Sequence, residues 1–358
     1  MRIKRILSGL LVGIMVLGMV NTSVFAVSGE KEVLSNVPFD YMTNMKNRSL
    51  DSYEGLSTGD KKLVYTIPNG VAETLTTEAL LETILNNKYL TDLMAYDDFA
   101  YAVKVRNSQY KILDYLNRKD ALTVLDAYIV LYENSLKQKE KEAGFYIDDV
   151  TNWDFELSGY EDVLTNYLQI VFMNELKNNY SEIMGLANGN SQNLSRGTQY
   201  FVETKAGNLV EGIKDRTWLN ALTNYGIQCS LRGDYRLRYP NNVELEGADC
   251  TPKYNCHSYA WYSNNIETNN IWIEKPASLN MYYSESTPCN SGPQIGWTKV
   301  LYYDEDGGIA HSAKVYAVYS NNTVASVISK WGNNSVYIHT LEDSPYYYSG
   351  VPIVYRNY

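Results

Sequence analysis

Asn255-Cys256-His257-Ser258-Tyr259-Ala260-Trp261-Tyr262 is the stretch on which the reading of this chain turns. Pro252 lies just upstream, and Asn255 is of the residue type that caps helices by accepting a backbone N–H. The run after it holds neither Gly nor Pro up to Asn264-Asn265, so a short helix is expected with Cys256 in its first turn. In that position unpaired backbone N–H groups and the helix dipole favour a thiolate. A nucleophilic cysteine also needs a base that takes or shares its proton. His257 is adjacent, but successive residues on a helix point about 100° apart, which makes it a poor partner.

Working outward, all four cysteines (Cys229, Cys250, Cys256, Cys289) and all three histidines (His257, His311, His339) fall after residue 228. The same region turns rich in Pro, Gly, Asn and aromatic residues. From Trp297 it reads as short strands with turns between them: 297–303, 311–319, 323–331, 335–341 and 351–355. Such spacing favours an antiparallel meander. His311 opens the second strand, directly after the Gly307-Gly308 turn, and is the preferred base. A third group normally orients the base. Ser329 and Asn333, in Ser329-Lys330-Trp331-Gly332-Asn333, can accept from an imidazole N–H, whereas a charged Lys330 cannot. His339 is the other contender, and the choice stays open at this point. Asn255, Trp261, Lys330 and Trp331 are read as lining a substrate groove, with a core position as the alternative for Trp261.

These residues carry a resemblance. A cysteine opening a helix, a histidine opening a later strand and a polar residue on the next strand resemble the papain-like NlpC/P60 and CHAP amidase superfamily. The likeness covers roughly residues 249–339. More closely, Asn255-Cys256-His257-Ser258-Tyr259-Ala260-Trp261, His311-Ser312-Ala313 and Ser329-Lys330-Trp331-Gly332 are similar to a set of uncharacterised secreted Gram-positive proteins. The resemblance implies cleavage of an amide bond in a peptide or peptidoglycan-like substrate, with Cys256 as nucleophile, His311 as base and no cofactor. The chain departs from the family in lacking its usual Asp-Cys-Ser or Gln-Cys-Thr at the nucleophile.

The N-terminal part is of a different kind. Met1-Arg2-Ile3-Lys4-Arg5 followed by an apolar run to Val20 and small residues to Ala26 reads as a signal peptide, too short to span a bilayer. Its removal takes Arg2, Lys4 and Arg5 and moves the formal charge from −10 to −13. That sign argues against nucleic acid as a partner. No later segment is apolar enough to cross a membrane, so a secreted or cell-wall-associated protein is expected. Residues 27–74 read as a partly ordered lead-in. Amphipathic stripes then recur, as in Leu80, Leu81, Ile84 and Leu85, in Leu122, Leu125, Ile129 and Tyr132, and in Val163, Leu164, Tyr167 and Leu168. One continuous helical pattern is read over 89–105. The expected architecture is therefore two-domain: an N-terminal all-α module (75–228), then a C-terminal α+β papain-like domain (229–358) with an antiparallel sheet. The helical module is read as a scaffold or as a site for an unidentified protein partner.

Other chemistries compete for the same residues. Cys256 can instead enter a disulfide, since four cysteines allow three pairings. Cys256, His257, His311 and His339 include zinc-ligand types, but the Cys256-His257 adjacency lacks common ligand spacing, so no metal is expected. Asp304-Glu305-Asp306-Gly307-Gly308 lacks the alternation of a calcium loop and reads as a polar hairpin turn. Arg232-Gly233-Asp234 matches an integrin-binding tripeptide, a match common by chance. The 33 Tyr against 7 Phe leave room for a non-catalytic protein whose Tyr-rich face binds glycan or protein. A thiol acyltransferase or transglutaminase-like cross-linker would use the same dyad.

Overall fold

A computed structural model describes residues 55–96, 98–147, 159–189, 198–214, 216, 225–273 and 276–358. The leader expected over 1–26 and the first part of the lead-in lie outside the described residues. From Gly55 onward the expected lead-in is helical instead, as α1 (Thr58–Val64) and α2 (Asn69–Thr74). Ser57 Oγ accepts the Asp60 N–H to start α1, and Tyr65 and Ile67 are buried between the two helices. Helices this short are held by packing rather than by propensity, which is why periodicity did not register them.

Helix α3 (Thr77–Leu85) is capped by Thr76, whose Oγ1 accepts the Ala79 N–H, while Thr77 Oγ1 donates to Asp120 at 2.7 Å. The continuous pattern expected over 89–105 is divided. A 3₁₀ turn (Leu90–Ala95) precedes α4 (Phe99–Val105), because Asp98 accepts the Tyr101 N–H and begins a new helix there. Then follow α5 (Asn107–Tyr110), α6 (Ile112–Leu116), α7 (Ala121–Ala143), α8 (Glu161–Asn178) and α9 (Tyr180–Ala187). Gly144 ends α7 at φ +64°, a left-handed position that Gly takes without a Cβ clash.

The stretch expected to be wholly helical also contains a hairpin, β1 (Thr198–Glu203) and β2 (Leu209–Lys214). Helix α10 (Tyr225–Arg238) runs straight through the expected boundary at residue 228. The Arg232-Gly233-Asp234 tripeptide lies within this helix, with Asp234 paired to Arg238, so it is not displayed on a loop.

The remaining strands are β3 (Val243–Glu244), β4 (Ile271–Trp272), β5 (Thr287–Pro288), β6 (Thr298–Tyr303), β7 (Ile309–Val318), β8 (Val324–Lys330), β9 (Val336–His339) and β10 (Ile353–Asn357), with α11 (Pro276–Glu285) between β4 and β5. The β6-β7-β8-β9 meander is antiparallel throughout. Strand β10 returns beside β6, giving a seven-stranded sheet in the order β3-β9-β8-β7-β6-β10-β5, and β1-β2-β4 form a second sheet. The protein is thus mixed α+β, with antiparallel sheets and most helices N-terminal.

Both faces of the large sheet are covered. On one, Val300, Ala313, Val327 and Trp331 share an unbroken core with helical residues such as Leu80, Phe172 and Leu176. On the other, Leu301 packs with Trp261, Tyr282 and the β1-β2 hairpin, and Ile328 packs with Tyr254 and Tyr259. The acidic 304–308 turn docks on the helices: Tyr101 donates to Asp304, Ser108 donates to Glu305, and Lys104 pairs with Asp306 at 2.9 Å. Among the described residues no helix is long and apolar enough to cross a membrane.

Candidate functional site

Residues 256–262 are helical, with Ser258–Tyr262 wound as a wider π-type turn. Asn255 does what its residue type suggests. Its Oδ1 accepts the Ser258 N–H at 3.1 Å, the N-cap bond, and also the Ile273 N–H, while its Nδ2 donates to the Ile273 carbonyl at 2.7 Å. One side chain therefore both starts the helix and ties it to the residue following β4. Cys256 follows at the first helical position and is 2 % exposed.

The helix is seated on β7 through Ser312. Ser312 Oγ lies 2.8 Å from His257 Nδ1 and accepts the Trp261 indole N–H at 3.0 Å. Burial depresses the His257 pKa to about 4, so the ring is neutral at pH 7. Trp261 also packs on Tyr282 and Tyr358, at centroid distances of 5.8 and 5.4 Å. It is a core residue, not a groove wall.

His311 lies on the other side of the sheet. Successive strand residues alternate faces, so with Ser312 turned toward residues 256–262 the His311 ring faces the helices. There it stacks on Tyr346 at 3.8 Å and 5°, with Tyr302 at 5.4 Å. A register shift in the β6/β7 pairing puts Tyr302 opposite His311 and Tyr303 opposite Ile309, leaving Ala310 as the extra residue of a bulge. His311 is 0 % exposed, and among the described residues neither ring nitrogen has a hydrogen-bond partner. Burial, with His339 and His257 nearby, holds its pKa well below the usual histidine range.

Ser329 partners a different histidine from the one expected. Its Oγ lies 2.7 Å from His339 Nε2 and accepts the Trp331 indole N–H at 3.2 Å. His339 Nδ1 donates to the Thr340 carbonyl at 2.7 Å, so Nε2 is the acceptor and Ser329 the donor. Burial brings the His339 pKa to about 4. The two faces of the sheet thus carry parallel triplets, Trp261-Ser312-His257 and Trp331-Ser329-His339. In each, the serine hydroxyl accepts an indole N–H and is hydrogen-bonded to a neutral imidazole.

Trp331 belongs to the core, edge-on to Tyr235 and Tyr239 at 5.2 and 5.4 Å. Lys330 donates to the Asn334 carbonyl and stands 5.0 Å from the Tyr254 ring centroid, inside the protein rather than along a groove. Asn333 accepts the Thr251 N–H through its carbonyl, while its side-chain Oδ1 is buried without a partner among the described residues. The structure therefore gathers His257, Trp261 and Ser312 on one face, with the helix that Asn255 caps and Cys256 opens. It gathers His311, Ser329, Trp331 and His339 on the other.

No family model, curated protein or solved structure matches this chain. The site rests on its own geometry. Among the described residues no group of His, Cys, Asp and Glu is arranged to hold a metal ion. Sequence reading passed over Ser312 and Tyr346. Ser312 was within reach, because it follows His311 and strand alternation sends one of the two toward the Cys256 helix. Nothing local marks Tyr346, which reaches His311 from a loop beyond β9.

Proposed function

We propose that the protein is an exported cysteine-dependent amide-bond hydrolase, acting on peptides such as those of peptidoglycan, with Cys256 as the nucleophile. The observation that carries this reading is the placement of Cys256 at the first position of a helix capped by Asn255. Backbone N–H groups there stabilise a thiolate and, later, the oxyanion of a tetrahedral intermediate. In the proposed reaction the Cys256 thiolate attacks the carbonyl, the imidazole base gives the leaving amine its proton, and water releases the acyl group. The resemblance assigns the base to His311, and two ring nitrogens without partners suit a group whose partner arrives with the reacting state. With His311 on the face away from residues 256–262, that role requires the ring to leave its stack on Tyr346. A two-domain, papain-like division of the chain belongs to the same proposal, as does secretion through the N-terminal leader.

A second reading has one observation in its favour. Cys256 is buried, and His311 is buried on the sheet face away from the His257 and Trp261 side chains of the same helix, as in a protein that binds without cleaving. Iodoacetamide labelling of the secreted protein across pH separates the two. The hydrolase reading expects selective alkylation at Cys256 with an apparent pKa below that of an ordinary thiol. It also expects His311→Ala to abolish that depression and His257→Ala to leave it. An inert Cys256 together with no cleavage of stem peptides sinks the hydrolase and leaves the binding protein.

A further inference from the structure

Helix α10 carries Cys229 in its second turn, and Cys250 lies in the segment that leads from β3 to Cys256. Both are buried in the same core, at 2 % and 4 % exposure, and both are thiols in the structure. The neighbouring Cys229 side chain, together with burial, pushes the Cys250 thiol well up. The approach is fixed from three sides. Arg232, one turn along α10, reaches Asp249 at 3.6 Å and Glu244 at 2.6 Å. Asn334 Nδ2 donates to the Gln228 carbonyl at 2.7 Å, and the Thr251 N–H donates to the Asn333 carbonyl at 2.9 Å. The neighbours of both cysteines are thereby tied to the same turn after β8.

We propose that Cys229 and Cys250 are joined in a disulfide that staples α10 to the approach of the Cys256 helix. Two cysteines buried in one core, with the residue before one and the residue after the other tied to adjacent positions of one turn, are placed to approach bonding distance. The oxidant is the disulfide of a thiol–disulfide exchange protein met on export. One cysteine thiolate attacks that disulfide and releases one thiol of the oxidant. The other cysteine then displaces the second, forming the Cys229–Cys250 bond. Two protein thiols and one foreign disulfide become one protein disulfide and two foreign thiols. Because burial disfavours the Cys250 thiolate in the folded protein, exchange takes place before α10 is packed. The pairing holds whether or not Cys256 is a nucleophile, and it removes two cysteines from competition for it.

The test uses the whole chain secreted through its own leader and never exposed to reductant. It is denatured in N-ethylmaleimide and mapped by mass spectrometry. Expected are a linked peptide pair containing Cys229 and Cys250, and an intact mass lower by about 2 Da than the reduced form, the two hydrogens lost on bonding. Maleimide on Cys256 and Cys289 is expected in the same digest. Maleimide on Cys229 or Cys250, or a link from either to Cys256 or Cys289, overturns the proposal. As a second measurement, reductant lowers the melting temperature of the wild type, while C229A/C250A shows no such response. A wild type equally indifferent to reductant also overturns it. Cys256 labelling is read separately, so failure of the hydrolase reading is distinguishable from failure of the disulfide.

Discussion

His257 and His339 are kept neutral inside the protein, each hydrogen-bonded to a serine hydroxyl, and both have pKa values near 4 against 6.5 for an ordinary histidine. Between those values the unfolded chain binds more protons than the folded one. Stability is therefore full above about pH 6.5 and falls as pH drops toward 4. Chemical denaturation from pH 8 to pH 4 is expected to show that fall, and His339→Gln to make it shallower. An identical slope in the variant would falsify the assignment. Lys299 presents the other sign of charge in the same logic. It pairs directly across β6/β7 with Lys314, and burial, then Lys314, then Lys205 depress its pKa to about 7. The folded state holds its proton less tightly than the unfolded chain between pH 7 and 10.5, so stability rises with pH through that window. Lys299→Met is expected to raise the denaturation midpoint at pH 7 and to flatten this rise; a lower midpoint at pH 7 refutes it.

At the scale of elements, the Cys256 helix depends on few residues. Asn255 supplies its N-cap and both bonds to Ile273, so Asn255→Ala removes the cap and leaves a buried backbone pair without partners. A loss of about 2–4 kcal/mol is expected from a cap at about 1 and an orphaned pair at about 1–3. The same variant should alkylate faster at Cys256, because the first turn frays; unchanged alkylation with unchanged stability would show that the cap is dispensable. The strands behave differently. Alternation along 311–319 was readable, yet it could not say which of His311 and Ser312 turns toward the helix. That choice is set by the bulge at Ala310 and by the packing of both sheet faces.

For the molecule as a whole, the buried ions show how the parts are joined. Lys62 of α1 meets Asp92 at 2.8 Å, both nearly inaccessible, and donates to the Ser344 carbonyl at 2.7 Å. Tyr239, the residue after α10, shares its hydroxyl proton between the two Asp92 oxygens, at 2.8 and 2.9 Å. One carboxylate thus joins the first described helix, the helical core and the segment that follows α10, while Lys62 also anchors the loop that carries Tyr346. Lys62→Met leaves Asp92 buried without its cation and is expected to destabilise by about 3–5 kcal/mol. Lys62→Met with Asp92→Leu should recover most of that in a double-mutant cycle. Additive losses would mean that the two do not act as a pair.

The sequence by itself determined the amphipathic helices, the antiparallel strands from Thr298 onward and the Asn255 cap, because each is written in local periodicity or in a single side chain's hydrogen-bonding chemistry. It also placed every cysteine and histidine in the C-terminal part of the chain. Tertiary structure alone decided the rest. It turned the expected lead-in from Gly55 into packed helices, carried α10 across the supposed boundary and gave both parts a common core. It paired Ser329 with His339 and sent His311 to the face opposite His257 and Trp261. Those outcomes follow from sheet register, from a one-residue bulge and from burial against residues distant in the chain. None of these leaves a signal within the window that a local pattern can span.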